Sequence, residues 1–113
     1  MQHEAALKYL LDIEAVISEL ESIIELSEND YNKFSAHFLA RRAAERDLMI
    51  IGEAVGKLLK TDPSVSITGS KDIIGLRNII VHAYDAVDPT TLWKVLIKDL
   101  PTLKQEINDL KSS

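Results

Sequence analysis

Nine consecutive residues, Arg77-Asn78-Ile79-Ile80-Val81-His82-Ala83-Tyr84-Asp85, hold an arginine, an amide, a histidine, a phenol and a carboxylate around an apolar run. An arginine fork matches the oxygens of a phosphodiester and stays charged at any relevant pH. An imidazole titrates near neutrality and can take a proton from one oxygen or give one to another. Cleaving RNA without a metal has three requirements. The 2′-hydroxyl must lose a proton, the leaving 5′-oxygen must gain one, and charge growing on the phosphorus oxygens must be stabilised. Arg77 and His82 are the residue types for those tasks, and Asn78 suits a phosphate or the orientation of the histidine.

Helical geometry sets a condition on this chemistry. Residues five apart, such as Arg77 and His82, project about 140° apart around a regular helix, so they do not share a face. Asn78 and His82, four apart, do share one, as do Arg77 and Tyr84, seven apart. Two solutions meet the condition. Either the helix ends near His82 and swings the ring round, or two copies of the segment meet across a two-fold axis and complete each other's site. The second also supplies two imidazoles, one acid and one base. The blander reading is structural, with His82 capping the last turn of a helix, where a cation suits the dipole.

The surrounding elements read as helices almost throughout. Leu7, Leu10, Ile13, Ile17, Leu20 and Ile24 recur at three- and four-residue steps, which predicts a helix from about residue 3 to 27. Ser27-Glu28-Asn29-Asp30 breaks it, with Asn29 or Asp30 as cap of a segment starting near Tyr31. A long helix follows, its stripe drawn through Phe38, Leu39, Ala43, Leu48, Ile51, Val55 and Leu58, with a break near Ser35-Ala36 and an end at Asp62-Pro63. Residues 61–70 form a loop, and Ser70 is the expected N-cap of the helix carrying the nine-residue segment. That helix is apolar on more than one side, which predicts the most buried, central position. Asp88 and Pro89 open the last helix as cap and first residue, and Pro101 is expected to kink it. The fold class is therefore all-α, an antiparallel bundle of four to five helices, in one domain spanning residues 1–113.

Composition bounds the function classes. The chain has 113 residues, 46% of them apolar, which suits one core, and no cysteine, which excludes disulfides and thiolate chemistry. Residues 1–30 carry eight acids against one base, and residues 31–113 carry 10 acids against 12 bases. The net acidity is thus concentrated in the first helix, and the remainder can present a local basic surface. The start, Met1-Gln2-His3-Glu4, lacks the pattern of a signal peptide, and no apolar run spans a membrane, so the expected location is cytoplasmic.

Several other residues carry groups capable of chemistry. His3 and His37 lack partners at metal-ligand spacing and read as surface or packing residues, so no metal and no cofactor is expected. Arg41, Arg42 and Arg46 form a basic cluster read as a solvated face interleaved with Glu45 and Asp47, ahead of an RNA-backbone contact. Trp93 reads as core or dimer interface. Asp85 either orients His82 or is solvated.

The segment resembles the R-x(4–6)-H motif of HEPN domains. More narrowly it is similar to the HepT-like group, in the form Arg77-Asn78 followed by three residues and then His82-x-Tyr84. Ile51-Gly52-Glu53-Ala54 in the long helix, and Leu100-Pro101 with Leu103 in the last, extend the likeness from about residue 5 to 110. The resemblance implies an all-α homodimer with its motifs facing a cleft between subunits. It implies a toxin that is a metal-independent ribonuclease, with RNA and not DNA as substrate and with no membrane partner. Arg77 and His82 match the residues assigned to catalysis, and Asn78 matches the polar residue after the arginine. It also implies a small MNT-type nucleotidyltransferase as antitoxin, which attaches AMP to the tyrosine, here Tyr84. Glu53 has two readings, an interior partner for Arg77 or His82 and a solvated or capping residue; Gly52 and Gly56 beside it suit close backbone approach. The alternative function is a non-catalytic module that binds the nucleotidyltransferase or a nucleotide through the same cleft.

Overall fold

The computed structural model describes residues 4–113. His3 lies outside them. The elements are α1 (Glu4–Leu26), α2 (Tyr31–Ala36), α3 (Phe38–Thr61), α4 (Ser70–His82), a single 3-10 turn (Tyr84–Ala86) and α5 (Pro89–Ser112). The protein is an all-α bundle, and no strand occurs among the described residues. Helix α3 packs against both α1 and α4, while α5 lies along α1. The order of the cross-links shows that α1 and α5 run antiparallel: Lys104 pairs with Glu21 at 2.6 Å, and Lys111, one helical stretch later, pairs with Glu14.

The core follows the helical period. Leu10, Ile13, Ile17 and Leu20 of α1 meet Leu48, Ile51, Val55 and Leu58 of α3 and Leu92, Leu96, Leu103 and Ile107 of α5. Phe34 of α2 is fully buried and stacks on Trp93 at 5.1 Å, which closes one end of the bundle. Helix starts are capped by side chains as their sequences imply. The Asp30 carboxylate accepts from Asn32 N at 2.8 Å, and Asp88 accepts from Thr90 N at 2.8 Å ahead of Pro89. The break between α2 and α3 falls at His37. Its Nδ1 accepts from Ala40 N at 3.0 Å, so this histidine is a helix cap. Helix α5 runs on through Pro101 to Ser112 as one element.

Three expectations need correction. The N-cap of α4 is Gly69, and Ser70 is its first residue. Gly69 has φ +78°, the left-handed region that favours glycine, and a Cβ there would lie 2.8 Å from Asp99 Oδ1. The stripe of α3 buries Ala40 and Ala44, whereas Phe38, Leu39 and Ala43 point to solvent. The reason is phase: the helix starts only at Phe38, and its core face is set by Leu48, Ile51, Val55 and Leu58. Finally, α4 is not the most buried helix. It buries only Ile73, Leu76 and Ile80, and leaves Ile79 43% and Val81 39% exposed. Among the described residues nothing fully covers Ile79 or Val81, which lie on opposite flanks of the core face of α4.

Candidate functional site

Helix α4 positions the segment by docking on α3 at a glycine. A Cβ on Gly52 would stand 2.3 Å from Arg77 Cβ and 3.0 Å from the Ile73 carbonyl oxygen. No real side chain tolerates that approach, so the missing Cβ lets the stem of Arg77 lie directly on the α3 backbone. Gly56, one turn later, has no such neighbour: nothing lies within 4 Å of an added Cβ. The close approach expected of both glycines belongs to Gly52 alone.

Arg77 is half-buried. Its Nη1 donates to Asn78 Oδ1 at 3.0 Å. Its Nε is buried and finds no acceptor. Among the described residues no carboxylate pairs with it. Arg42 and Arg46, by contrast, are held by Glu45 at 3.1 Å and by Asp47 at 3.3 Å. Arg77 is thus a partly desolvated cation whose donors are largely unused, the state that favours an incoming anion.

His82 is the last residue of α4 and still helical. Ala83 is the C-cap, and its N–H donates to Ile79 O at 2.8 Å. The helix does not end early enough to swing the ring toward Arg77, and His82 keeps the face of Asn78, both of them exposed. Tyr84, in the 3-10 turn, is 72% exposed, and Asp85 beside it is also exposed. The side chains of His82, Tyr84 and Asp85 make no hydrogen bond or ion pair among the described residues. The segment therefore delivers Asn78, His82 and Tyr84 to solvent and Arg77 to the edge of α3.

Glu53 is not an interior partner. It is exposed and pairs with Lys57 at 3.2 Å, one turn along α3. It does line the same groove as Arg77 and Asn78. That groove, of about 400 Å³, lies between α3 and α4 and is completed by Gly52, Gly56, Lys57, Leu59, Lys60 and Ile74. Lys57 and Lys60 follow Glu53 on the same helix, and that spacing is the signal in the sequence that marks them. Among the described residues no cluster of His, Asp or Glu could hold a metal ion. No helix there is long and apolar enough to cross a membrane.

Asp47, Asp62 and Asp99 are buried carboxylates, and burial raises the carboxyls of Asp47 and Asp99. Asp47 was read as solvated but is only 1% exposed. Burial, helped by the Glu19 charge and a hydrogen bond with Glu19, pushes its carboxyl up to about 6, against the pull of Arg46. Asp99 is buried against Gly69, and burial raises its carboxyl too, with Lys98 opposing. Neither lies in the groove of Arg77.

Comparison with known proteins finds relatives along most of the chain. The family model described as Ribonuclease HepT-like matches residues 13–110. A protein of Methanocaldococcus jannaschii named as a candidate RNase is 35% identical over 98 residues, covering 81% of this chain and 86% of its own. A similarly named protein of Caldanaerobacter subterraneus is 30% identical over 100 residues, covering 87% and 89%. A protein of Thermococcus cleftensis named "Probable ribonuclease HepT" is 31% identical over 108 residues, covering 91% and 93%. No solved structure matches significantly.

Proposed function

The chain belongs to the HepT-like ribonuclease family, and on that footing we propose that it is a toxin endoribonuclease which cleaves RNA through Arg77 and His82 without a metal. The observation that carries this reading is the state of Arg77: half-buried, bonded to Asn78 at 3.0 Å, and without any carboxylate partner among the described residues. Such a guanidinium offers its remaining donors to the scissile phosphate and to the charge that develops on it.

The imidazole of His82 takes the proton of the 2′-hydroxyl, and the 2′-oxygen attacks phosphorus. The bond to the 5′-oxygen breaks, and that oxygen leaves with a proton from an acid. The products are a 2′,3′-cyclic phosphate and a 5′-hydroxyl. Because His82 stays helical and points away from Arg77, one chain does not complete this arrangement. We place the second half on a homodimer, with the α4 segments facing each other across a cleft. The exposed Ile79 and Val81, one on each flank of α4, offer apolar contacts for that docking. The second imidazole then supplies the acid.

The exposed Tyr84 supports the off-switch. An MNT-type nucleotidyltransferase antitoxin would bring ATP to it. The phenol oxygen attacks the α-phosphorus, pyrophosphate leaves, and AMP stays on Tyr84. Its bulk and negative charge then stand where substrate phosphate must bind.

The test is cleavage of end-labelled RNA by the purified chain in excess chelator, with the product ends identified. Cyclic phosphate and 5′-hydroxyl ends, lost on AMP addition to Tyr84, are expected. No cleavage by unmodified protein, or activity only with added divalent metal, would overturn the reading.

A further inference from the structure

The groove between α3 and α4 continues well past the cleavage residues. From Gly52, on which Arg77 lies, Lys57 and Lys60 are five and eight residues further along α3, so ~7.5 and ~12 Å along its axis. The groove is lined by three cations (Arg77, Lys57, Lys60) against one carboxylate, Glu53, which is already engaged by Lys57 at 3.2 Å. Lys60 has no ion pair among the described residues. In a chain of formal net charge −5, this is a local positive trough. The comparable groove between α4 and α5 balances Lys71 and Lys94 against Asp72 and Asp99, so it has no such field.

The walls add a second feature. Leu59 and Ile74 are partly buried and face the groove, so they offer an apolar surface beside the cations. Between them Gly56 leaves bare backbone, with open space where a Cβ would stand. A glycine inside a helix costs roughly 1 kcal/mol relative to alanine. Here it is not explained by packing, since an added Cβ would touch nothing. Apolar walls, an open floor and cations on the rim match a nucleotide: base against Leu59 and Ile74, ribose over Gly56, phosphate toward Lys57 and Lys60.

We propose that the Gly56–Lys60 stretch of α3 is a flanking-nucleotide subsite, which holds the RNA residue next to the scissile phosphate and draws the strand along the α3–α4 groove. This rests on the ribonuclease reading above and adds to it a binding determinant outside the catalytic segment. Lys57, Lys60 and Gly56 act by positioning RNA and touch no reacting atom.

Two variants test it from opposite directions. Gly56→Leu projects a side chain into the open space where an added Cβ meets nothing within 4 Å, and it favours the helix, so the protein is expected to fold. Lys60→Gln removes one exposed cation. Each is compared with the parent chain for cleavage of short RNA oligonucleotides, for the salt dependence of binding, and for thermal unfolding. Both are expected to raise KM several-fold with kcat nearly retained. Lys60→Gln should also reduce the slope of log K against log salt by about 0.7, the loss of one single-strand phosphate contact. In the parent, lengthening the RNA on the groove side should lower KM, and in Gly56→Leu it should not. If the parent cleaves RNA while both variants match it in KM, salt slope and length dependence, the subsite is refuted and the ribonuclease reading stands. If the parent neither cleaves nor binds RNA, the ribonuclease reading itself fails, and the subsite with it.

Discussion

Asp47 shows how much one residue can hide behind a charged neighbourhood. Its sequence context, Arg46 before it and Glu45 a step earlier, reads as solvent-facing, yet the side chain is buried with its carboxyl raised to about 6. A carboxyl whose folded-state value lies above its ordinary 3.8 makes no demand on the fold below pH 4. It costs stability progressively as pH rises to about 6, and fully above that. Asp47→Asn is therefore expected to stabilise the protein by on the order of 1–3 kcal/mol at pH 7.5 and by little at pH 3.5. Urea unfolding at the two pH values checks this, and an equal effect at both would contradict it. Arg77 is the converse case, a cation left without its carboxylate. Arg77→Lys keeps the charge but loses the fork, so cleavage should fall by orders of magnitude while the melting temperature barely moves. The residue types at the site were legible in the sequence because Arg, Asn, His and Tyr stood together on an otherwise apolar helix. The burial of Asp47 and the pairing of Glu53 with Lys57 were not, because both depend on the phase of α3 relative to its neighbours.

Between elements, the seam of α3 and α4 sets the site. Gly52 permits the close approach that seats Arg77, and sequence spacing pointed to close packing there. Sequence did not distinguish Gly52 from Gly56, because a glycine's neighbours are decided by tertiary contacts. Gly52→Ala must push α4 away, since the obstructing atoms are a Cβ and a backbone carbonyl. Overpacking costs typically ~1–3 kcal/mol, only partly offset by better helix propensity. Gly56→Ala should be neutral or stabilising. Thermal unfolding of the pair, with cleavage rates alongside, separates the two: Gly52→Ala should lose both stability and kcat. Capping was half legible. Asp30 and Asp88 were recognisable caps, while Gly69 displaced Ser70 because the chain enters α4 through a left-handed turn against Asp99. His37 had no signal beyond its place at a break.

For the molecule as a whole, the bundle was legible from periodicity, since α1, α3 and α5 each carry an unbroken apolar stripe. The position of α4 was not. Its apolar residues on more than one side suggested a central helix, whereas Ile73, Leu76 and Ile80 face the core and Ile79 and Val81 stay exposed on its two flanks. Exposed apolar residues of that kind suit contacts with a second copy. Val81→Lys together with Ile79→Glu should shift the protein to monomer in sedimentation experiments, with the helical content unchanged and RNA cleavage lost with the dimer. The acidic α1 packs on α3 and α5, away from α4, so the net charge of −5 does not prevent RNA from reaching the groove. The central claim is a site made by two chains, because Arg77 and His82 project from different sides of one helix. Mixing the parent chain with the inactive His82→Ala variant, and allowing subunits to exchange, tests it most directly. If each site needs the imidazoles of both protomers, a mixed dimer is inactive, and cleavage should fall well below the share of parent chains in the mixture. Cleavage that simply tracks the share of parent chains, under conditions where the subunits demonstrably exchange, would contradict it.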